Sequence, residues 1–214
     1  MTEQSGPSAA VYKLDASHTD AAVAVLARAF SHAPMWTWAL PDEQHRKRAL
    51  PLSMRRSFLR GVILDAAYGM GDPLQGVAIW APPGMAEANV DPDGSRTGGD
   101  AVVADAVGAH GTRRFDSMSE VQRPLHERHA KADGWYLSLL AVDPDAQRTG
   151  MGSALLCAMW SRLDPQHVST YTETANVANV PYYKSRGYEV MYEGALPDGG
   201  PRYFYLSRQP IRHP

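Results

Sequence analysis

The sequence predicts an α/β fold in which one mixed sheet carries helices on both faces. Two observations lead there. Period-two apolar runs and helical stripes follow one another as ββ, helices, then β-α-β-α-β-β, without an internal repeat or a linker in the second half. A continuous apolar strand at 135–142 is followed by a glycine-bearing turn and an amphipathic helix, the pattern of a buried strand feeding a ligand-binding helix. The chain has 214 residues, 44% hydrophobic and 21% charged, ample for one core.

In order, residues 1–9 read as a disordered leader and 10–210 as a single domain. Val11–Leu14 is a short strand. Asp15, Ser17 or Thr19 caps a helix through Ala22, Val25, Leu26, Ala29 and Phe30. His32 to Asp42 reads as a proline-bounded loop packed over the body through Trp36 and Trp38. A second helix covers 42–63, with Pro51 as a candidate break. Leu64–Tyr68 and Leu74–Trp80 are strands, and 85–100 is a long mobile loop placed as a lid. Ala101–Ala109 and Thr112–Ala130 are helices. Trp135–Val142 is a strand, Gly150–Leu163 a helix, Val168–Thr174 a strand, and Val180–Arg186 a helix stopped by Gly187. A hairpin, 188–193 with 202–207, turns at Pro197–Gly200.

Composition excludes several functions. Net charge is −2, and Arg46-Lys47-Arg48, Arg55-Arg56 and Arg113-Arg114 lack interleaved aromatics, so nucleic acid is not an expected partner. No apolar run reaches the ~18–20 residues of a membrane span, and the N-terminus has no secretory pattern, so a cytoplasmic location is expected. The lone Cys157 forms no disulfide and reads as helix packing. His126-Glu127-Arg128-His129 has its histidines three apart, not the four of a zinc protease helix, and reads as a solvated face, although either histidine could line an acceptor pocket; no metal is expected.

Gln147-Arg148-Thr149-Gly150-Met151-Gly152 opens a helix directly after Val142. Unpaired amides and the positive helix end favour phosphate there, and two glycines remove the Cβ atoms that would hold a diphosphate away. Ser153-Ala154 after Gly152 excludes a nucleoside-triphosphate loop, and Leu155 stands where a dinucleotide fingerprint needs a small residue. Gln-x-x-Gly-x-Gly after Leu-Ala-Val, then Glu173-Thr174, Asn176, Asn179-Val180-Pro181-Tyr182-Tyr183 and Gly187-Tyr188, resembles the GNAT N-acyltransferases over about residues 130–208. Trp-Tyr-Leu-x-Leu-Leu-x-Val at 135–142 and Asn-x-Pro-x-Tyr at 179–183 are similar to the puromycin N-acetyltransferase-like branch; Arg148 stands where that branch often has glycine, and Tyr188 replaces a phenylalanine.

The resemblance implies an α/β GNAT fold: a mixed, mostly antiparallel sheet of six to seven strands with splayed central parallel strands. Residues 10–134 form the acceptor-side half and 135–210 the acetyl-CoA-binding half. Leu140, Ala141 and Val142 pair with pantetheine. Gln147, Arg148, Thr149, Gly150, Met151, Gly152 and Ser153 hold the diphosphate, and Asn176 and Asn179 are further CoA contacts. Tyr183 is the general acid; Glu173 is the nearest carboxylate candidate for the base, acting through a water, and ordered water alone is the alternative. Trp36, Trp38, Tyr136 and Ser138 face the acceptor, with Tyr136 and Ser138 on one strand face. The implied reaction is metal-free acetyl transfer to a primary amine of a small molecule, by a monomer or homodimer. Another acyl-CoA donor, a protein amine, or a non-catalytic acyl-CoA sensor are the alternatives.

Overall fold

The computed structural model describes residues 10–86, 99–129 and 134–211. The expected leader, and most of the expected lid at 85–100, lie outside them. Seven strands form one sheet in the order β1-β2-β3-β4-β5-β7-β6: β1 Tyr12–Lys13, β2 Ala67–Met70, β3 Gly76–Ala81, β4 Trp135–Val142, β5 Thr170–Thr174, β6 Tyr188–Ala195 and β7 Arg202–Arg208. Every neighbouring pair is antiparallel except β4 and β5.

Helices α1 (Thr19–Phe30), α2 (Pro34–Ala39), α3 (Glu43–Ile63) and α4 (Gly99–His129) cover one face; α5 (Met151–Leu163) and α6 (Asn179–Lys184) cover the other. The alternation of β3 divides the core accordingly. Val77 and Ile79 pack with Leu26, Leu50, Met54 and Phe58, whereas Ala78 and Trp80 pack with Leu155, Leu156 and Met159.

The acceptor-side half departs from expectation in its helices. Residues 34–39 are helical, not loop, because Pro34 occupies a first-turn position where its missing N–H is no loss. α3 runs through Pro51 without ending. The two helices expected at 101–109 and 112–130 are both present within α4 and meet at Gly108, whose non-helical backbone, φ 72° and ψ 165°, only glycine adopts easily. Cys157 is exposed on α5 rather than packed, since the buried stripe uses Leu155, Leu156, Met159, Trp160 and Leu163.

A buried ion pair ties the end of α5 to the last strand. Arg208 donates from both terminal nitrogens to the two oxygens of Asp164, at 2.7 and 2.8 Å, and lies over the Trp160 ring.

Candidate active site

The β4–β5 pair supplies the main geometric feature. It has only three rungs, Trp135 with Thr170, Tyr136 with Tyr171 and Leu137 with Thr172. The Thr172 hydroxyl closes the last rung by donating to the Leu137 carbonyl at 2.9 Å. Beyond it β4 stays with β3 and β5 with β7, so the two parallel strands part. A bulge accentuates the turn-away: Ile79 opposes Leu139 and Trp80 opposes Leu137, leaving Ser138 as the extra residue. Tyr136 and Ser138 therefore do not share the simple alternation expected of them. Ser138 lines a small cavity beside α3, and Tyr136 turns towards β5.

The split opens onto the start of α5. Asp143 is anchored through its N–H on the Gln75 carbonyl, at 2.7 Å, and its side chain accepts from the Asp145 N–H. Arg28 bridges Asp143 and Asp145, and the Thr149 hydroxyl donates to the Ala146 carbonyl. Arg148 and Gly150 both have positive φ, 65° and 94°, which turns the loop into the helix; a Cβ on Gly150 would meet nothing within 4 Å. A Cβ on Gly152 would lie 2.8 Å from the Tyr182 hydroxyl oxygen. That ring is clamped by Arg186, whose guanidinium carbon sits 3.7 Å above it and which donates to the Ser153 hydroxyl from Nε and Nη2, at 3.1 and 2.6 Å. The Gln147 amide folds back onto the Val142 carbonyl at 3.2 Å.

Adjacent residues of β5 send their side chains to opposite faces. Beside Thr172, on the α5–α6 face, lies Tyr183, buried against Tyr182 and Tyr188. Burial pushes its phenol well above the ordinary value; the neighbouring phenols add to this, and a hydrogen bond with Thr172 opposes it. On the other face Glu173, with only 4% of its side chain exposed, gathers donors from two further elements. His126 Nε2 pairs with Oε1; the Gln122 amide and the Tyr136 hydroxyl donate to Oε2 at 2.9 and 2.7 Å. Burial first, then the Glu173 charge, raise the Tyr136 phenol well above its usual value. Tyr171, Tyr205 and His126 stack or tilt around this carboxylate. His126 is thus buried in the site, not on a solvated face: α4 turns that side inward.

Other expected residues are engaged in the core or in local hydrogen bonds. Trp36 and Trp38 are 5% and 8% exposed in the core, Trp36 edge-on to Phe115 and Trp38 under Arg114. Their neighbours are core groups, because α2 tucks them inward. Asn176 caps the turn into α6, its side-chain oxygen accepting from the Ala178 N–H at 3.1 Å, and the Asn179 amide reaches the Thr174 hydroxyl at 3.5 Å. Gln122 and Arg60 were not singled out by sequence; only the spacing of Gln122 and His126, one helical turn apart, could have pointed to a shared face. A larger open hollow of about 470 Å³, lined by His110, Arg113, Arg114, Glu120 and Asp198 among others, includes none of the expected site residues.

A seven-stranded sheet with one parallel pair that parts at a helix N-terminus decides the architecture. The chain has the GNAT fold. Residues 127–200 match the family model described as an acetyltransferase (GNAT) domain. Three solved structures illustrate the likeness. One is described as histone acetyltransferase HPA2 and related acetyltransferase from Corynebacterium glutamicum, 20% identical, covering 96% of this chain and 98% of that one, TM-score 0.66. Arylalkylamine N-acetyltransferase 2 from Aedes aegypti is 10% identical over 95% and 99%, TM-score 0.66. The PaiA N-acetyltransferase from Thermoplasma acidophilum, solved with coenzyme A, is 12% identical over 94% and 99%, TM-score 0.56. The GNAT match spans β4, α5, β5 and α6, the elements that build the split and its glycine loop. No helix among the described residues is long and apolar enough to cross a membrane.

Proposed function

We propose that the protein transfers the acetyl group of acetyl-CoA to a primary amine of a small molecule, by direct attack. The β4–β5 split carries this reading: it is a gap in the sheet that ends at a phosphate-compatible helix start, with a protonated phenol on one face and a carboxylate on the other. The fit of the cosubstrate is supported by the main chain. The β5-facing edge of residues 139–142 has no strand partner among the described residues, and the helix start at Gly150 has nothing within 4 Å of where a Cβ would stand. Leu140 to Val142 would take the pantetheine amides, and the amides of Arg148 to Ser153 the diphosphate. Acetyl-CoA supplies a thioester already activated towards amines, so no protein nucleophile is required.

The chain then has two proton tasks. The acceptor ammonium must lose a proton to become a nucleophile. Tyr136 donates to Glu173, so as its oxygen takes the ammonium proton its own can pass to the carboxylate, with His126 and Gln122 fixing that carboxylate in place. As the C–N bond forms and the C–S bond breaks, the departing thiolate takes the Tyr183 proton. A phenol held above its ordinary pKa is fully protonated at neutral pH, so the proton is in place when the sulfur leaves. The puromycin N-acetyltransferase-like motifs favour a small-molecule amine over a protein one, as does the arylalkylamine acceptor in the name of one structural neighbour.

Thiol release from acetyl-CoA, followed with a panel of primary amines, tests the reading. Tyr183→Phe is expected to lower kcat more than tenfold, about 1.4 kcal/mol or more of barrier, with coenzyme A affinity little changed. Turnover at the parent rate would remove Tyr183 from the mechanism. Calorimetry in which coenzyme A fails to bind would remove the whole proposal.

A further inference from the structure

Arg60, in the last turn of α3, is the feature that the acetyl-transfer chemistry leaves without a purpose. It lines a small cavity with Ser57, Trp80, Ala81 and the bulged Ser138. Its Nη2 donates to the main-chain carbonyls of Met85 and Ala86. Its Nε is buried with no acceptor, and no carboxylate among the described residues forms an ion pair with it. Carbonyl dipoles satisfy part of this half-buried guanidinium, and no carboxylate among the described residues compensates its charge. Burial pulls its pKa down, Tyr136 opposes that, and Arg56 one turn earlier adds to it, so a second positive charge bears on the same place.

The position matters as much as the charge. Ser138 directly follows Leu137, the last residue of β4 that pairs with β5, so the cavity borders the mouth of the split. The residue before Leu137 is Tyr136, whose hydroxyl sits on Glu173. One short stretch of β4 therefore runs from the Glu173 carboxylate and its partners to a guanidinium that no described carboxylate compensates. A planar guanidinium is matched best by an oxyanion, which can accept from two of its N–H groups at once.

We infer that Arg60 is a specificity residue of the acceptor site, and that the amine accepted carries an oxyanion, a carboxylate or a phosphate, at its other end. This rests on the acetyl-transfer reading. The amine meets Tyr136 and Glu173 while the oxyanion replaces water at Arg60, so a zwitterionic acceptor is held at both ends and a simple diamine at only one.

Four acceptors of equal length test it by thiol release: an ω-amino acid, its methyl ester, an aminoalkyl phosphate and a diamine. The parent protein is expected to favour the amino acid or the phosphate over the ester and the diamine at least tenfold in kcat/KM, expressed mainly in KM. The two anionic arms show which oxyanion is used. Arg60→Gln, with its fold checked by circular dichroism, is expected to abolish the preference, and Arg60→Lys to restore part of it. Equal use of the ester or the diamine by the parent, or a preference that survives in Arg60→Gln, overturns the inference and leaves acetyl transfer standing. A readout without turnover covers failure of the reaction itself. The N-acetylated ω-amino acid and phosphate should raise the melting temperature of the parent but not of Arg60→Gln, and the ester should raise neither. The absence of a shift with both anions overturns the inference whether or not any amine is acetylated.

Discussion

Replacing Gly152 by alanine separates ligand binding from folding. The new Cβ would stand 2.8 Å from the Tyr182 hydroxyl oxygen, so the phenol must retreat by roughly 0.6 Å to reach ordinary contact. It cannot swing freely, because Arg186 lies on its ring at 3.7 Å and is itself tied to Ser153. The substitution should nonetheless be tolerated: alanine improves helix propensity by up to about 1 kcal/mol, which offsets the strain of a small side-chain shift. A melting temperature within about 3 °C of the parent is expected. Coenzyme A should bind at least tenfold more weakly, about 1.4 kcal/mol, because the added methyl group pushes the Tyr182 phenol off its place against the first turn and reshapes that surface. Gly150→Ala is the counterpart. Its Cβ meets nothing, but φ of 94° disfavours any side chain, so stability should fall by roughly 1–2 kcal/mol. Titration calorimetry and thermal melts measure both quantities. If Gly152→Ala bound coenzyme A within twofold of the parent, the first turn of α5 would not be the diphosphate cradle.

Two further outcomes concern stability. Asp164→Asn strands Arg208, which is 2% exposed, without its carboxylate, and should cost about 3–5 kcal/mol in urea denaturation; a loss below 1 kcal/mol would mean the pair is solvated. Tyr136, Tyr183, Tyr188, Tyr203 and Tyr205 all have phenols raised first of all by burial, Tyr188 to about 12. The unfolded chain ionises these groups near pH 10 while the folded chain does not, so their contribution is complete below pH 10 and declines as pH rises towards 12. The slope is up to about 1.4 kcal/mol per pH unit for each such tyrosine. A urea midpoint unchanged between pH 9 and 11 would contradict this.

The second half of the chain was legible because its signals are local. A strand of consecutive apolar residues, glycines at 150 and 152 and Gly187 at φ 84° each fix structure within a few residues. The acceptor-side half was less so. Trp36 and Trp38 looked like a loop bounded by prolines, yet Pro34 starts a helix and the packing of α2 against α4 decides which way the indoles point. His126 looked solvated because helical spacing says which residues share a face and nothing of what that face meets. The partner is Glu173, 47 residues away on β5, so the pairing is purely tertiary. The bulge at Ser138 is equally silent in sequence, since an apolar run interrupted by one serine does not announce the extra residue.

In the proposed reaction that bulge has a use. Without it, Tyr136 and Leu139, three residues apart, would alternate to opposite faces of β4; with it, both pack on the α3–α4 side. Tyr136 can then reach Glu173 while the strand beyond still pairs with β3 up to Val142. Thr172 and Glu173, as neighbours on β5, meanwhile put Tyr183 on one face and the carboxylate on the other. The reactants of an acyl transfer must meet along a line, with the proton acceptor behind the nucleophile and the donor beside the leaving group. A continuous sheet would put a wall between two such groups. Here the pairing of β4 with β5 ends at Leu137 and Thr172, next to Glu173, so in the proposed reaction a thioester lying in the split would have Tyr183 on one side of it and the Tyr136–Glu173 pair on the other.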